Sequence, residues 1–346
     1  MNVVQGVVRW ADRFQQRHSV VGFPFAVVKK YGDDQAGNLA ALIAYYGFFS
    51  LFPLMLVFVT ILGLALKDNP TLQDKILHSA LAQFPIIGDQ IENNVHSLQG
   101  SGLTLLIAIL VTLWAGLGVM NAMQTAMNVV WDVPRRDRPN FIKGRVRALL
   151  MLVLLGTASI AAAVVAGITA AAANSTVSFV LGLALSFALN LGVFLLAFKI
   201  LTARKLSWGD VLPGAVLAAV AWLALQLLGG YIVGHQLKSA SQVYGLFAVV
   251  IGLLAWMALG ATVTLYAAEV NVVRKERLWP RSLVQPPLTE ADRAAYRRAA
   301  IASERRPEQT IAVRFEEETD HESEQADRSE RGRIRDVEER GASGTR

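Results

Sequence analysis

Six stretches of this chain run for twenty or more residues with almost no charge: about 39–66, 102–123, 149–173, 178–201, 211–234 and 243–270. A helix needs roughly 20 apolar residues to cross about 30 Å of hydrocarbon, so each run is long enough to span a bilayer. Only helices and closed barrels satisfy their backbone there, and unbroken apolar runs of this length point to helices. Charge is distributed to match. Of the 60 Lys, Arg, Asp and Glu residues, 32 lie after Val270. The first 270 positions cannot cover themselves with a charged surface, so their solvent is lipid. The expected fold is all-α: a polytopic membrane protein with six transmembrane helices.

Basic residues in the connections set the orientation. Segment 1–38 carries Arg9, Arg13, Arg17, Lys29 and Lys30, and the loop 124–148 carries six in "PRRDRPNFIKGRVR". Between them, 67–101 has only Lys67 and Lys75, and the turn "NSTV" has none. Lys199, Arg204 and Lys205 cluster at the fourth connection, the fifth has Lys238, and the tail is rich in Arg. The alternation is unbroken, which predicts both termini in the cytoplasm. The domain plan is a cytoplasmic segment 1–38, a membrane domain 39–275 and a charged tail 281–346.

Outside the spans, residues 3–17 place Val3, Val4, Val7, Ala11 and Phe14 on one helical face and Arg9, Arg13, Gln16 and Arg17 opposite. Such a helix either lies on an anionic membrane surface or packs on the protein's own loops. The external loop 67–101 opens with "DNP", a helix-start signal, and predicts a re-entrant or surface helix. From 281 onward acidic and basic residues balance and aromatics run out, which predicts disorder.

Polar residues inside the apolar runs are the candidate functional positions, since they cost several kcal/mol if unpaired in hydrocarbon. The first run contains "AYYGFFSLFPLMLV", Ala44 to Val57. Pro53 removes the hydrogen bond to the carbonyl of Phe49 and predicts a kink. Tyr46, Ser50 and Pro53 share one helical face, with Tyr45 beside it. That face is expected to look into the bundle, lining a cavity with a hinge or bonding hydroxyls to neighbouring helices. In "NAMQTAMNVVW" Asn121 either joins helices or lines a polar vestibule. Tyr244 stands at the outer end of the last run. Glu269, in "LYAAEVNVV", is the one acidic residue clearly within an apolar run, and intramembrane carboxylates are functional candidates. It either couples or gates movement, or forms an ion pair with Arg274 or the basic loop 124–148.

Several classes are excluded. There is no cysteine, hence no disulfide framework, thiolate metal site or Cys nucleophile. The five histidines lack a second ligand at metal spacing, and no Gly-rich phosphate loop with its Lys is present. No catalytic residue, cofactor or metal site is expected, and no nucleic-acid partner. The basic loops face lipid headgroups, so membrane lipids are the expected partners; homo-oligomerisation and envelope protein partners stay open.

The first run, the Asn–Trp pair after the second, "YGLFAVVIGLLAWM" in the sixth and its closing "AAEVN" together resemble the YihY/BrkB membrane protein family over roughly 25–275. The resemblance implies a multi-pass protein of the bacterial inner membrane. It also implies a non-ATP-driven transport or lipid-handling role, with a structural scaffold of envelope machinery as the alternative. The family's old ribonuclease label finds no support in this sequence, which offers no soluble domain or metal-ligand cluster for RNA hydrolysis. The family commonly closes its last span with Gly-Ala-Glu; here the residues are Ala267, Ala268 and Glu269.

Overall fold

The computed structural model describes residues 3–65, 102–171, 176–232, 238–284 and 288–315, and among these there is no strand. Two short helices, α1 (Val3–Arg17) and α2 (Ser19–Asp33), precede six long ones: α3 (Ala36–Ala65), α4 (Gly102–Val130), α5 (Phe141–Ala171), α6 (Thr176–Leu201), α7 (Trp208–Ile232) and α8 (Lys238–Glu276). A short helix, α9 (Glu290–Ile301), follows. Each of the six apolar runs lies within, or within a residue or two of, one long helix. Four stretches, Phe141–Ala162, Phe179–Leu201, Trp208–Gln226 and Val250–Glu276, are long and apolar enough to cross a membrane, and Ala36–Leu51 is a shorter apolar stretch. The chain is an all-α polytopic membrane protein; the expected external loop 67–101 lies outside the described residues.

Packing is closest where side chains are smallest. α3 packs against α4 and α8, α7 against α6 and α8, and α5 against α4 and α6. Ala36, Ala40, Ala126, Ala215, Ala218, Ala267 and Ala268 are all buried in the core, and small residues let backbones approach closely in lipid. The tightest point is Gly214, where a Cβ would collide with the Ala267 carbonyl oxygen. Pro213 interrupts the ladder of α7 one residue earlier, and Asn271 Oδ1 accepts the Gly214 N–H at 2.6 Å. The motif "AAEVN" thus supplies a small residue for the crossing and an amide to satisfy a displaced donor.

The helix ends are set by local chemistry. Asp132 takes a left-handed φ of 49° after α4, and the Val133 N–H reaches back to the Asn128 carbonyl at 2.9 Å. This is the Schellman pattern. α8 ends the same way, with Arg277 at φ 53° and the Leu278 N–H on the Val273 carbonyl. α9 starts with a capping box between Thr289 and Asp292.

The tail departs from expectation. Its composition predicts disorder from 281, yet α9 is docked: Arg281 and Asp292 are fully buried. The balanced composition conceals specific pairing. Asp292 accepts from Arg281 Nε, the Ser282 N–H and hydroxyl, Lys29 Nζ, and the Thr289 N–H and hydroxyl, so its charge is exchanged for six donors rather than for water. Residues 316–346 lie outside the described residues. α1 also settles differently from its sequence pattern. Asp12 and Gln15 are buried and bond the Leu283 N–H and the Arg281 carbonyl, while Trp10 and Phe14 stack on each other and stay exposed.

Candidate functional site

Loop residues and the C-terminal end of α8 meet in a buried ionic cluster. Lys30, on α2, is 2% exposed. Its ammonium donates to Asp34 Oδ2 at 2.5 Å, to Asp132 Oδ1 at 3.3 Å and to the Val130 carbonyl at 3.3 Å. An ammonium has three N–H donors, so all three are used. Asp132 also accepts from Arg298 Nε at 3.2 Å, and Arg298 and Arg204 together hold Glu276. Burial opposes the charge on Lys30, but Glu269, Asp132 and Asp34 outweigh it and raise its pKa above the ordinary lysine value.

Glu269 lies beside this cluster with no exposed surface, and neither carboxyl oxygen receives a hydrogen from a protein donor. The charged groups that face it are Lys30, Asp34 and Asp132. The expected partners, Arg274 or the basic residues of 124–148, do not take that place. The cation comes instead from Lys30, in the segment before the first span. Tyr266, one turn earlier on α8, stacks on Tyr31 of α2 at 4.0 Å. Among the described residues no group of three His, Asp or Glu side chains is arranged to hold a metal ion.

The remaining candidates lie elsewhere. Tyr45 is 53% exposed and Tyr46 39%, so this face does not look into a closed lumen. Tyr46 lies against Gly118 of α4, where an added Cβ would come within 3.1 Å of its ring, and Tyr45 packs on Phe49. The Ser50 hydroxyl donates to the Gly47 carbonyl on its own helix at 2.8 Å. Helix α3 continues through Pro53 and α8 contains Tyr244, but both side chains lie outside the described residues. Asn121 is exposed. Its neighbours on α4 join helices instead: Gln124 Nε2 donates to the Gly144 carbonyl, and Asn128 Oδ1 accepts from the Ala203 N–H. These two fall three and seven residues beyond Asn121, on the inward face.

Sequence reasoning missed Lys30, Asp34 and Asp132. All three lie in connections that read as headgroup-facing loops. A signal was present in the proximity of Lys30 and Asp34 at i, i+4 spacing next to a span, but nothing local predicts the return of Asp132 from another connection.

A family model described as virulence factor BrkB matches residues 27–290. The inner membrane protein YhjD of Escherichia coli is 23% identical over 274 residues, covering 73% of this chain and 81% of that protein. The ribonuclease-like protein YfkH of Bacillus subtilis is 23% identical over 260 residues, 72% of this chain and 93% of that protein. A UPF0761 membrane protein of Stenotrophomonas maltophilia is 25% identical over 270 residues, 76% of this chain and 63% of that protein. No solved structure matches the chain.

Proposed function

The chain belongs to the BrkB family, and on that premise we propose that it is a non-ATP-driven lipid-handling protein of the bacterial inner membrane, with both termini in the cytoplasm. The observation that carries this reading is the exposed pair Tyr45 and Tyr46 on α3. Phenol groups on the outer side of an apolar helix suit an amphiphile better than a soluble solute. A lipid headgroup can follow hydroxyls along the face while its acyl chains stay in the bilayer. A soluble solute needs an enclosed aqueous passage, which an outward strip does not offer. The relative YhjD is named as an inner membrane protein, which supports the location.

The test is reconstitution of the full chain in phosphatidylethanolamine–phosphatidylglycerol vesicles carrying a headgroup-labelled lipid that an external reagent quenches. The expected result is quenching beyond the outer-leaflet fraction, reduced several-fold by Tyr45→Phe with Tyr46→Phe. Ser50→Ala should change little, because that hydroxyl is already spent on its own helix. No quenching above protein-free vesicles, with or without a pH gradient, would overturn the reading. Unchanged quenching in the double tyrosine variant would remove the strip from it.

A further inference from the structure

Glu269 poses a problem of hydrogen-bond accounting. Its two oxygens are buried without a donor, and an ionised carboxylate in that position carries a large desolvation cost. Lys30 attracts it but has no N–H to spare, because Asp34, Asp132 and Val130 take all three. The carboxyl that faces Glu269 across the same ammonium is Asp34, which Lys30 holds. Ionised carboxylates only accept. A bond between these two therefore exists only when one of them carries a hydrogen.

We propose that Asp34 and Glu269 form a one-proton site, in which a single proton taken from the cytoplasm is held between the two carboxyl groups at the junction of α2, α3 and α8. Charge counting supports it. Among Lys30, Arg298 and Arg204 on one side and Asp34, Asp132, Glu269 and Glu276 on the other, negative charges outnumber positive ones by one, and the proton restores balance. Burial, reinforced by Asp132, pushes the Asp34 carboxyl up to about 6 although Lys30 pulls the other way. A metal cation is a poor occupant, since the Lys30 ammonium already stands beside Asp34.

Among the described residues the other carboxylates nearby are already engaged, Asp33 by Arg281 and Asp132 by Lys30 and Arg298. Tyr31 of α2 and Tyr266 of α8 are stacked on each other, α3 has no ionisable residue before Tyr45, and Asp210 of α7 is held by Lys275. Asp34 and Gln35 join α2 to α3, Gln35 with a left-handed φ of 50°. Loss of the proton sets two carboxylates against each other at the foot of the helix that carries Tyr45 and Tyr46. The proton would thus be the coupling ion of the lipid-handling reading, on which that role (though not the site itself) rests.

The experiment is infrared spectroscopy of the full chain in nanodiscs of phosphatidylglycerol and phosphatidylethanolamine between pH 5 and 8, in H2O and D2O. The expected result is a protonated-carboxyl component, shifted by deuterium and worth one group, that is lost with a midpoint near or above 6, apart from the surface carboxyls that titrate at about 4. Glu269→Gln and Asp34→Asn should each abolish it. Glu269→Gln copies the protonated shape, so its melting temperature at pH 8 should equal or exceed that of the unsubstituted chain. Should neither variant fold, the titration of the unsubstituted chain alone decides. Absence of that component at pH 5, or its persistence in both variants, overturns the proposal. So does a sodium-dependent rise in melting temperature that Glu269→Gln removes, since that marks a metal cation in the proton's place. The titrating component without lipid movement keeps the site and overturns the transport role; lipid movement without the component does the reverse.

Discussion

Lys30 on α2 and Asp132 at the end of α4 meet 3.3 Å apart, both shielded from solvent, although 102 positions separate them in the chain. The contact ties the segment before the first long helix to the connection after the second. It exists because Asp132 adopts a left-handed conformation that turns its carboxylate back under the bundle.

Removing the cation should be costly. Lys30→Met leaves Asp34 and Asp132 buried without their shared donor, and breaking a buried pair from one side costs about 3–5 kcal/mol. Thermal unfolding of the full chain in detergent should show a large fall in melting temperature. A loss under about 1 kcal/mol would mean that water reaches the cluster.

Two glycines make a paired test of the helix crossing. Gly214→Ala places a methyl on the Ala267 carbonyl oxygen and against the Asn271 amide, so α7 and α8 must separate. Overpacking of this kind costs about 1–3 kcal/mol. Gly156→Ala meets nothing within 4 Å and should be neutral or gain up to about 1 kcal/mol from helix propensity. Equal melting temperatures for the two variants would contradict the close approach.

The pH dependences of two buried aspartates should run in opposite senses. The pKa of Asp34 is raised to about 6, so the folded state holds its proton more tightly than the unfolded one. The stability this contributes is complete below the ordinary carboxylate value of about 4 and disappears as pH rises through about 6. Burial alone would raise Asp292, but Arg281, Ser282 and Lys29 hold it far below the usual range. Its contribution is present above the ordinary value and is lost only as pH falls through the lowered one. Between pH 4 and 7 the stability difference from Asp34→Asn should therefore shrink, and that from Asp292→Asn should stay constant. Melting temperatures across that range check both.

Truncation separates the docked part of the C-terminal segment from the residues beyond it. Ending the chain after 315 leaves every described contact of Arg281, Asp292 and Arg298 in place, and the melting temperature should change little. Ending it after 278 strips these residues from Asp33, Lys29 and Asp132 and leaves the buried Asp12 and Gln15 of α1 without the Leu283 N–H and the Arg281 carbonyl, at a cost of about 1–3 kcal/mol for each unsatisfied group. Equal stability of the two truncated chains would show that the ionic collar does not hold the bundle.

The six apolar runs could be read directly because hydrophobicity is a local property: each residue contributes to it wherever the rest of the chain goes. The α3–α8 boundaries follow the runs for that reason, and Glu269 was visible as a carboxylate out of place. The orientation of a side chain around its helix was less legible. The apolar runs have almost no amphipathic stripe, so nothing in "AYYGFFSLFPLMLV" marks which face meets α4. Tyr45 and Tyr46 accordingly lie further out than their polarity suggests. The segment after 281 misled for a different reason. Its composition says that charges balance, but whether Arg281 meets Asp33 or water depends on distances that composition does not contain.

By itself, then, the order of residues determined that this chain lives in a bilayer as a set of long helices, and which carboxylate stands inside one of them. The company that carboxylate keeps was decided only by tertiary structure. Lys30, Asp34 and Asp132 come from two separate connections, and electrostatic partnership depends on separation in space. That separation is set by where the small-residue faces of the helices let their backbones meet.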